Sequence, residues 1–365
     1  VNPAKIKIST GATHTCGINS FGEVWCWGRN NLGQVGDGTQ TLADVPKKVN
    51  NLPSGITRIS AGRDHTCAID SYNSLYCWGS NNSGQLGIGS TGGFITSAMA
   101  VERQWLQISA GNDTTCGLRT DGAGAGCWGA CNLGQCGFGQ IEPTNKPLYG
   151  VFNLGDSSVT QVSTGTDHSC ALLNTGEVRC WGYNAYYQLG DGTATNRVTP
   201  TTPSGLNSGV QSISVGGNHT CVVMNTGQVR CWGRNDAGQV GNGSTFSYVM
   251  YPTGINNLGA STGVIALSAG GPFNCVLKIS GHAVQCWGSN IYGAVGDGTF
   301  VDKPAPVDVS GFASNIMHIS TNFNNHSCIV NSYGDVRCWG QNSQSQLGIG
   351  SGPDQPASVL VQGFP

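Results

Sequence analysis

The chain has 365 residues, a formal net charge of −2 and only 10% charged residues, well under half the roughly 25% usual in soluble domains. That balance, with no Lys/Arg run denser than Lys47-Lys48, argues against the clustered basic face of a nucleic-acid binder. No run approaches the ~18 apolar residues of a membrane span, and the low charge does not fit disorder.

In chain order, the same elements recur seven times. Each repeat opens on a short strand, A, ending at an apolar-Ser pair, from Ile8-Ser9 and Ile59-Ser60 to Ile319-Ser320. A Gly follows two residues later (Gly11, Gly62, Gly111, Gly165, Gly216, Gly270), with Asn322 in the seventh repeat. Gly there predicts a turn of positive φ, which Asn also tolerates. Strand B begins at a cysteine and strand C ends at Cys-Trp-Gly. The pairs are Cys16/Cys26, Cys67/Cys77, Cys116/Cys127, Cys170/Cys180, Cys221/Cys231, Cys275/Cys286 and Cys328/Cys338. Setting each pair opposite one another places Ile18 against Val24, Ile69 against Leu75 and Leu172 against Val178 on the same sheet face, as period-two alternation requires. Opposed cysteines on antiparallel strands lie within bridging distance. Hairpin disulfides and an oxidising compartment are therefore expected, with buried free thiols as the alternative. The Trp after each second Cys (Trp27, Trp78, Trp128, Trp181, Trp232, Trp287, Trp339) points the other way and is expected to pack on the neighbouring unit. A Pro- and Val-containing edge strand, D, follows, as at 44–49, 198–202 and 304–309.

Four short strands per ~50 residues, repeated along the chain, predict an all-β fold. The expectation is a seven-bladed β-propeller of four-stranded antiparallel blades, with one B–C hairpin disulfide per blade. Residues 1–365 read as a single propeller, with repeats at approximately 5–50, 56–102, 105–151, 159–203, 210–256, 264–309 and 316–362. The chain begins with A and ends with D. Val359–Val361 is therefore expected to pair beside the first repeat and close the ring, or to close a neighbour's ring by strand exchange. Val1 reads as the start left by a removed signal peptide.

The S-x-G-x-x-H approach and the W-G-x-N-x-x-G-Q-L-G turn closely resemble the regulator of chromosome condensation repeat family over residues 5–362. Gly33-Gln34-Val35-Gly36, Gly84-Gln85-Leu86-Gly87 and Gly238-Gln239-Val240-Gly241 stand at one register. The resemblance implies a seven-bladed propeller used as an interaction platform, and the cysteine-paired form is similar to the family's secreted bacterial branch. The founding activity, nucleotide exchange on a small GTPase, is not carried over, because no long insertion interrupts the repeats. The family also includes a secreted propeller that inhibits β-lactamase by binding, an analogy that fold alone does not transfer.

His14, His65, His168, His219 and His326 sit two residues before a first Cys. They read as structural groups bonding the adjacent turn, with zinc ligation as the alternative. His282 and His318 lie outside that register. Gly-Asp-Gly-Thr at 36–39, 190–193 and 296–299 reads as self-capped turns, with calcium binding as the alternative. There is no nucleophile elbow, H-E-x-x-H or phosphate-binding loop. The expectation is no enzyme: no catalytic residue, no metal and no cofactor. A channel enzyme would need three or more titratable groups converging there. Cys131 and Cys136 replace the loop Asn and the Val/Leu of other repeats and read as an eighth bridge, Cys131–Cys136, free or redox thiols being the alternative. Of the sequons, those at Asn81 and Asn242 read as exposed enough to carry a glycan.

Function is expected in what does not recur. Tyr183, Tyr186, Tyr187, Phe246, Tyr248 and Tyr292 follow strand C in repeats four to six and are candidate partner contacts, shielding of the rim being the alternative. The expected role is a non-enzymatic extracellular or cell-surface propeller within a layer, sheath or filament. It would bind proteins, copies of itself included, and no nucleic acid. The alternative is a secreted binding module, such as an enzyme inhibitor or ligand-recognition propeller.

Overall fold

In the computed structural model, Cys16 pairs with Cys26 across strands B (His14–Ile18) and C (Val24–Gly28), and Ile18 pairs with Val24 beside them. The structure describes residues 5–122, 124–146, 150–151, 154, 158–279, 283–311, 315–321 and 323–365, so Asn322 and His282 lie outside it. In the first repeat strand A is Lys7–Thr10 and strand D is Ala43–Lys48, and the sheet order is A-B-C-D, antiparallel throughout. Strand A lies innermost in the ring and D at the rim. All seven C-strand tryptophans are fully buried.

The expected seven separate four-stranded blades do not form. Among the described residues the propeller has six sheets, five of four strands and one of six. The six-stranded sheet carries repeats two and three. One 17-residue strand, Phe94–Ala110, serves as strand D of the second and strand A of the third. The cause is the length of the link. Only residues 103–104 separate these repeats, whereas residues 51–55 separate the first two. Two residues are too few for the chain to leave one sheet and start another. Arg103 takes the bend within the strand, with φ 74°.

The fused sheet also corrects the expectation of one hairpin disulfide per blade, because it holds two, Cys67–Cys77 and Cys116–Cys127. The four-stranded sheets hold one each: Cys16–Cys26, Cys170–Cys180, Cys221–Cys231, Cys275–Cys286 and Cys328–Cys338. All seven bridges keep their Cα atoms 4.0–4.1 Å apart. Cys131 and Cys136 form an eighth bridge.

The blades are also less regular at the rim than plain four-stranded sheets. Cys180 pairs with Thr201 on strand D, but Gly182 pairs with Arg197, so D bulges between them. The same shift follows Cys231, where Gly233 meets Val249, and Cys286, where Gly288 meets Lys303. The glycine closing strand C accounts for it. Gly182, Gly233 and Gly288 have φ of 105–109°, a conformation that turns the strand out of its straight ladder.

The last strand D, Gln355–Leu360, stays in its own sheet against Val336–Gly340. This overturns closure by Val359–Val361 beside the first repeat. Strand C of its own repeat already satisfies the strand, with Cys338 opposite Val359. Side-chain contacts and a backbone bond from Gly350 N to the Asp44 carbonyl at 3.1 Å close the ring instead. Thr10 bonds Ser320 at 2.9 Å and Thr15 bonds His326 at 2.8 Å. The Phe364 ring meets Trp27 edge-on at 5.9 Å and covers Gly17, where a Cβ would come within 2.6 Å of it.

The role assigned to the A–B turn glycines also changes. None of Gly11, Gly62, Gly111, Gly165 and Gly216 has positive φ. A Cβ on Gly11 would strike both the His14 ring and the Gly62 carbonyl of the next repeat. Glycine is required there because neighbouring turns approach too closely for any side chain.

Candidate interaction face

His14 pairs with Gly28 at one end of the B–C hairpin, and Ile18 with Val24 at the other. The A–B turns and the loops after strand C therefore share one face of the ring, and the B–C hairpin tips share the opposite face.

On the first face, each loop after strand C grips the next repeat. The Gln34 carbonyl accepts from Trp78 Nε1 at 3.0 Å and from Thr66 Oγ1 at 3.3 Å. The Gln188 carbonyl accepts from Trp232 and Thr220, and the Gln346 carbonyl closes the ring onto Trp27 and Thr15. The histidines extend the same chain. His14, His65 and His168 bond Thr66, Thr115 and Thr220 at 2.8–2.9 Å. Each threonine gives its proton to a Gln carbonyl, so the histidine Nε2 must be the donor. The bond thus runs to the next repeat, not to the adjacent turn. Burial drives these three imidazoles and that of His326 down to a pKa of about 3, so they are neutral. The cysteines that the zinc alternative needs beside them are bonded to each other instead.

The Gly-Asp-Gly-Thr loops cap themselves. Asp37, Asp191 and Asp297 each accept from their own Thr amide at 3.0 Å and from Asn30, Asn184 and Asn290. Each of those asparagines also accepts an amide five residues on, as Asn30 does from Val35 at 3.0 Å. Cys131 and Cys136 span the same five residues, so in the third repeat a covalent bond replaces that hydrogen bond.

Titratable groups do meet at the axial mouth of this face. Asp64 pairs with Arg63 at 3.3 Å, and Arg29, Arg63 and Asp64 line a cavity of about 270 Å³. Burial raises the pKa of Asp113, with Arg63 opposing and Asp64 adding. Asp167 is raised by burial and then by Asp113. Asp64 and Asp113 nevertheless serve as posts for the loop amides of Gln34 and Gln85. The histidines of the register are spent on inter-repeat bonds. Among the described residues no three His, Cys, Asp or Glu side chains converge as a metal set.

At the rim of the same face the structure gathers four of the six aromatic candidates. Tyr183 and Tyr186 meet edge-on at 6.2 Å, and Tyr187 stacks on Tyr248 at 4.7 Å. The Arg234 guanidinium lies 5.3 Å from the Tyr186 ring centroid and is tied to Asp236 at 2.6 Å, which holds its pKa above the ordinary range. Phe246 is 78% exposed. No ring contact among the described residues ties Phe246 or Tyr292 to the others. Tyr187 has φ 63° at a position held by glycine in five other repeats, including Gly33 and Gly84. A non-glycine residue in that region costs about 1–3 kcal/mol. Sequence reasoning missed Arg234 and Tyr251, which lies against Gly192 of the tyrosine-bearing loop. Arg234 was detectable, since most repeats have no cation after Cys-Trp-Gly. Tyr251 lay hidden in strand D.

The sequon reading changes. Asn81 is 1% exposed, and its side chain holds Leu86 N and Ser90 O, so a glycan there would dismantle the loop. Asn242 is half-buried and caps Ser244.

A family model described as RCC1-like domain matches residues 2–324. The ultraviolet-B receptor UVR8 of Arabidopsis thaliana is 28% identical over 368 residues, 99% of this chain and 82% of the relative's length. The E3 ubiquitin-protein ligase HERC2 of Homo sapiens is 30% identical over 247 residues, 66% of this chain but 5% of that protein. Among solved structures, yeast RCC1 (Prp20) bound to Kap60 superposes with a TM-score of 0.84 at 21% identity, covering 95% of this chain and 85% of that one. At that identity it speaks for the fold alone.

Proposed function

The chain belongs to the RCC1-like domain family, a family of interaction propellers, and from that premise we propose that it is an extracellular, non-catalytic propeller that binds a protein partner through the tyrosine-rich rim of repeats four and five. One observation carries the reading. Tyr187 occupies a left-handed position that five other repeats give to glycine and the seventh to the small Ser345, and its ring stacks on Tyr248. Strain of this kind concentrates at functional sites. Rigid tyrosines beside an arginine are also the residue types that dominate binding hot spots. Eight disulfides support an oxidising compartment, and the yeast relative was itself solved with a protein bound.

A role within a layer, sheath or filament is the second reading. Its simplest route, exchange of the last strand between rings, loses support because Gln355–Leu360 pairs at home. The neutral surface, with little long-range repulsion, still favours close association.

The test is a photo-crosslinking amino acid placed at Tyr186 in the native extracellular setting, compared with Tyr187→Gly and Tyr248→Ala variants. The expected result is one stoichiometric partner, lost in both variants while neither melts below wild type, Tyr187→Gly being relieved of the left-handed strain. Fibres or ring stacks by electron microscopy, with no crosslinked heterologous partner, would establish the assembly reading instead.

A further inference from the structure

The hairpin-tip face carries its own non-recurring feature. In repeats seven, one and two the B–C tips read Asn331-Ser332-Tyr333, Asn19-Ser20-Phe21 and Asp70-Ser71-Tyr72. Repeats three to six place Arg119, Leu173, Met224 and Lys278 at the first of these positions and no aromatic at the tip. These three repeats are contiguous, because repeat seven closes on repeat one. The tips are built alike. Asn331, Asn19 and Asp70 each accept the amide of their aromatic residue at 3.0, 3.0 and 2.8 Å. Each also accepts a second amide, from Asp335, Glu23 and Ser74. The turns are thus fixed while the rings stand in water: Phe21, Tyr72 and Tyr333 are 75%, 78% and 75% exposed. Three large rings held rigidly outward on neighbouring turns stabilise nothing in the ring itself.

Beside them a cleft of about 400 Å³ opens between the first two hairpins, lined by Phe21, Ser71, Ile56, Lys5 and Lys7. No acidic residue lines it. Among the described residues Lys5, Lys7 and Arg58 form no ion pair, although Arg58 acts electrostatically on Lys7. Burial, and then Arg58, lower the pKa of Lys7. Burial and the charge of Lys7 together keep His318, on strand A of repeat seven, neutral near pH 7. The cleft lining thus carries Lys5 and Lys7 with no acid beside them, while Asp70 and Asp335 stand at the neighbouring tips.

We propose that this sector is a second binding surface that takes an acidic segment of a partner protein, with its carboxylates on Lys5, Lys7 and Arg58 and an apolar side chain against the hairpin-tip rings. The charge complementarity selects the partner's sign, and the exposed rings supply the apolar anchor. The surface lies on the face opposite the tyrosine rim and does not depend on that rim's function.

The probe is a fluorescein-labelled Asp/Glu-rich nonapeptide with one central Phe, read by fluorescence anisotropy against a Lys-rich counterpart. Saturable binding of the acidic peptide only is expected, weakened by added salt. The Phe21→Ser/Tyr72→Ser/Tyr333→Ser and Lys5→Gln/Lys7→Gln variants should each lose at least about tenfold in affinity. The triple serine variant should melt with wild type, since the rings are exposed, and the lysine variant should melt close to it, since Gln can still donate where Lys7 Nζ meets the Thr57 carbonyl at 3.0 Å. Tyr186→Ala/Tyr248→Ala should bind the peptide normally, which separates this surface from the rim. Equal binding of both peptides, or wild-type affinity in both variants, would overturn the proposal. So would self-association that the triple serine variant abolishes in the absence of peptide binding, because the occupant would then be a second copy. Binding to anionic phospholipid vesicles without peptide binding would overturn it as well.

Discussion

At the residue scale, the buried histidines couple stability to pH. Their ordinary pKa is about 6.5, and burial lowers His14, His65, His168 and His326 to about 3 in the fold. A group whose folded pKa is depressed leaves stability intact above its unfolded pKa. As pH falls from about 6.5 toward about 3, the unfolded chain takes up protons that the folded chain refuses, and stability falls. The melting temperature should therefore drop steadily between about pH 7 and pH 4. His65→Thr, which places there the residue that repeat three has at Thr114, should cost about 1 kcal/mol at pH 7 through the lost bond to Thr115. It should also show a shallower loss on acidification. A flat wild-type profile over that range, from calorimetry at a series of pH values, would show that these imidazoles titrate freely. The sequence placed these histidines in one register but misassigned their partner. Their acceptors stand 50–52 residues on for His14, His65 and His168 and 311 residues back for His326, separations that only the closed ring makes short.

At the element scale, the hairpin bridge and the loop bridge should behave differently. Cys16→Ala/Cys26→Ala should cost roughly 2–3 kcal/mol by loop entropy, read as a lowered guanidinium midpoint. Cys131→Asn/Cys136→Val should recover most of what that bridge gives, because it restores the Asn-to-amide bond seen from Asn30 to Val35. A loss as large as in the hairpin double mutant would mean that the third loop needs a covalent bond its neighbours do without. Hairpin register was legible in the sequence because period-two alternation forces Cys16 and Ile18 onto one face, and Cys26 and Val24 must follow. The link at 103–104 was equally visible as a short gap. Reading it as a sheet fusion required knowing that strand D of repeat two and strand A of repeat three run collinear. The bulge opposite Cys180, Cys231 and Cys286 was not legible, because strand D carries no cysteine to fix its register against strand C. The Tyr186–Arg234 contact spans two repeats, so no local pattern announces it. Asn81 looked exposed because it sits in a polar loop, yet that loop folds around its amide.

At the scale of the whole molecule, ring closure depends on side chains from the last repeat meeting the first. Phe364→Ala removes the edge-on contact with Trp27 and uncovers Gly17. It should cost about 1–3 kcal/mol and show first as faster amide exchange in strands of repeats one and seven. Unchanged exchange there would mean that the hydrogen bonds across the closure, among them Trp27 and Thr15 to Gln346 and Gly350 to Asp44, close the ring without it. The fused sheet has a mechanical meaning as well. Between most neighbours the chain leaves a sheet and re-enters another, so two wedges can rock against each other. Phe94–Ala110 instead runs unbroken from the rim of repeat two to the axis of repeat three. Repeats two and three are therefore tied by backbone with a single bend at Arg103, so any relative movement of these two repeats must pass through that one residue, where other neighbours have a loop to absorb it.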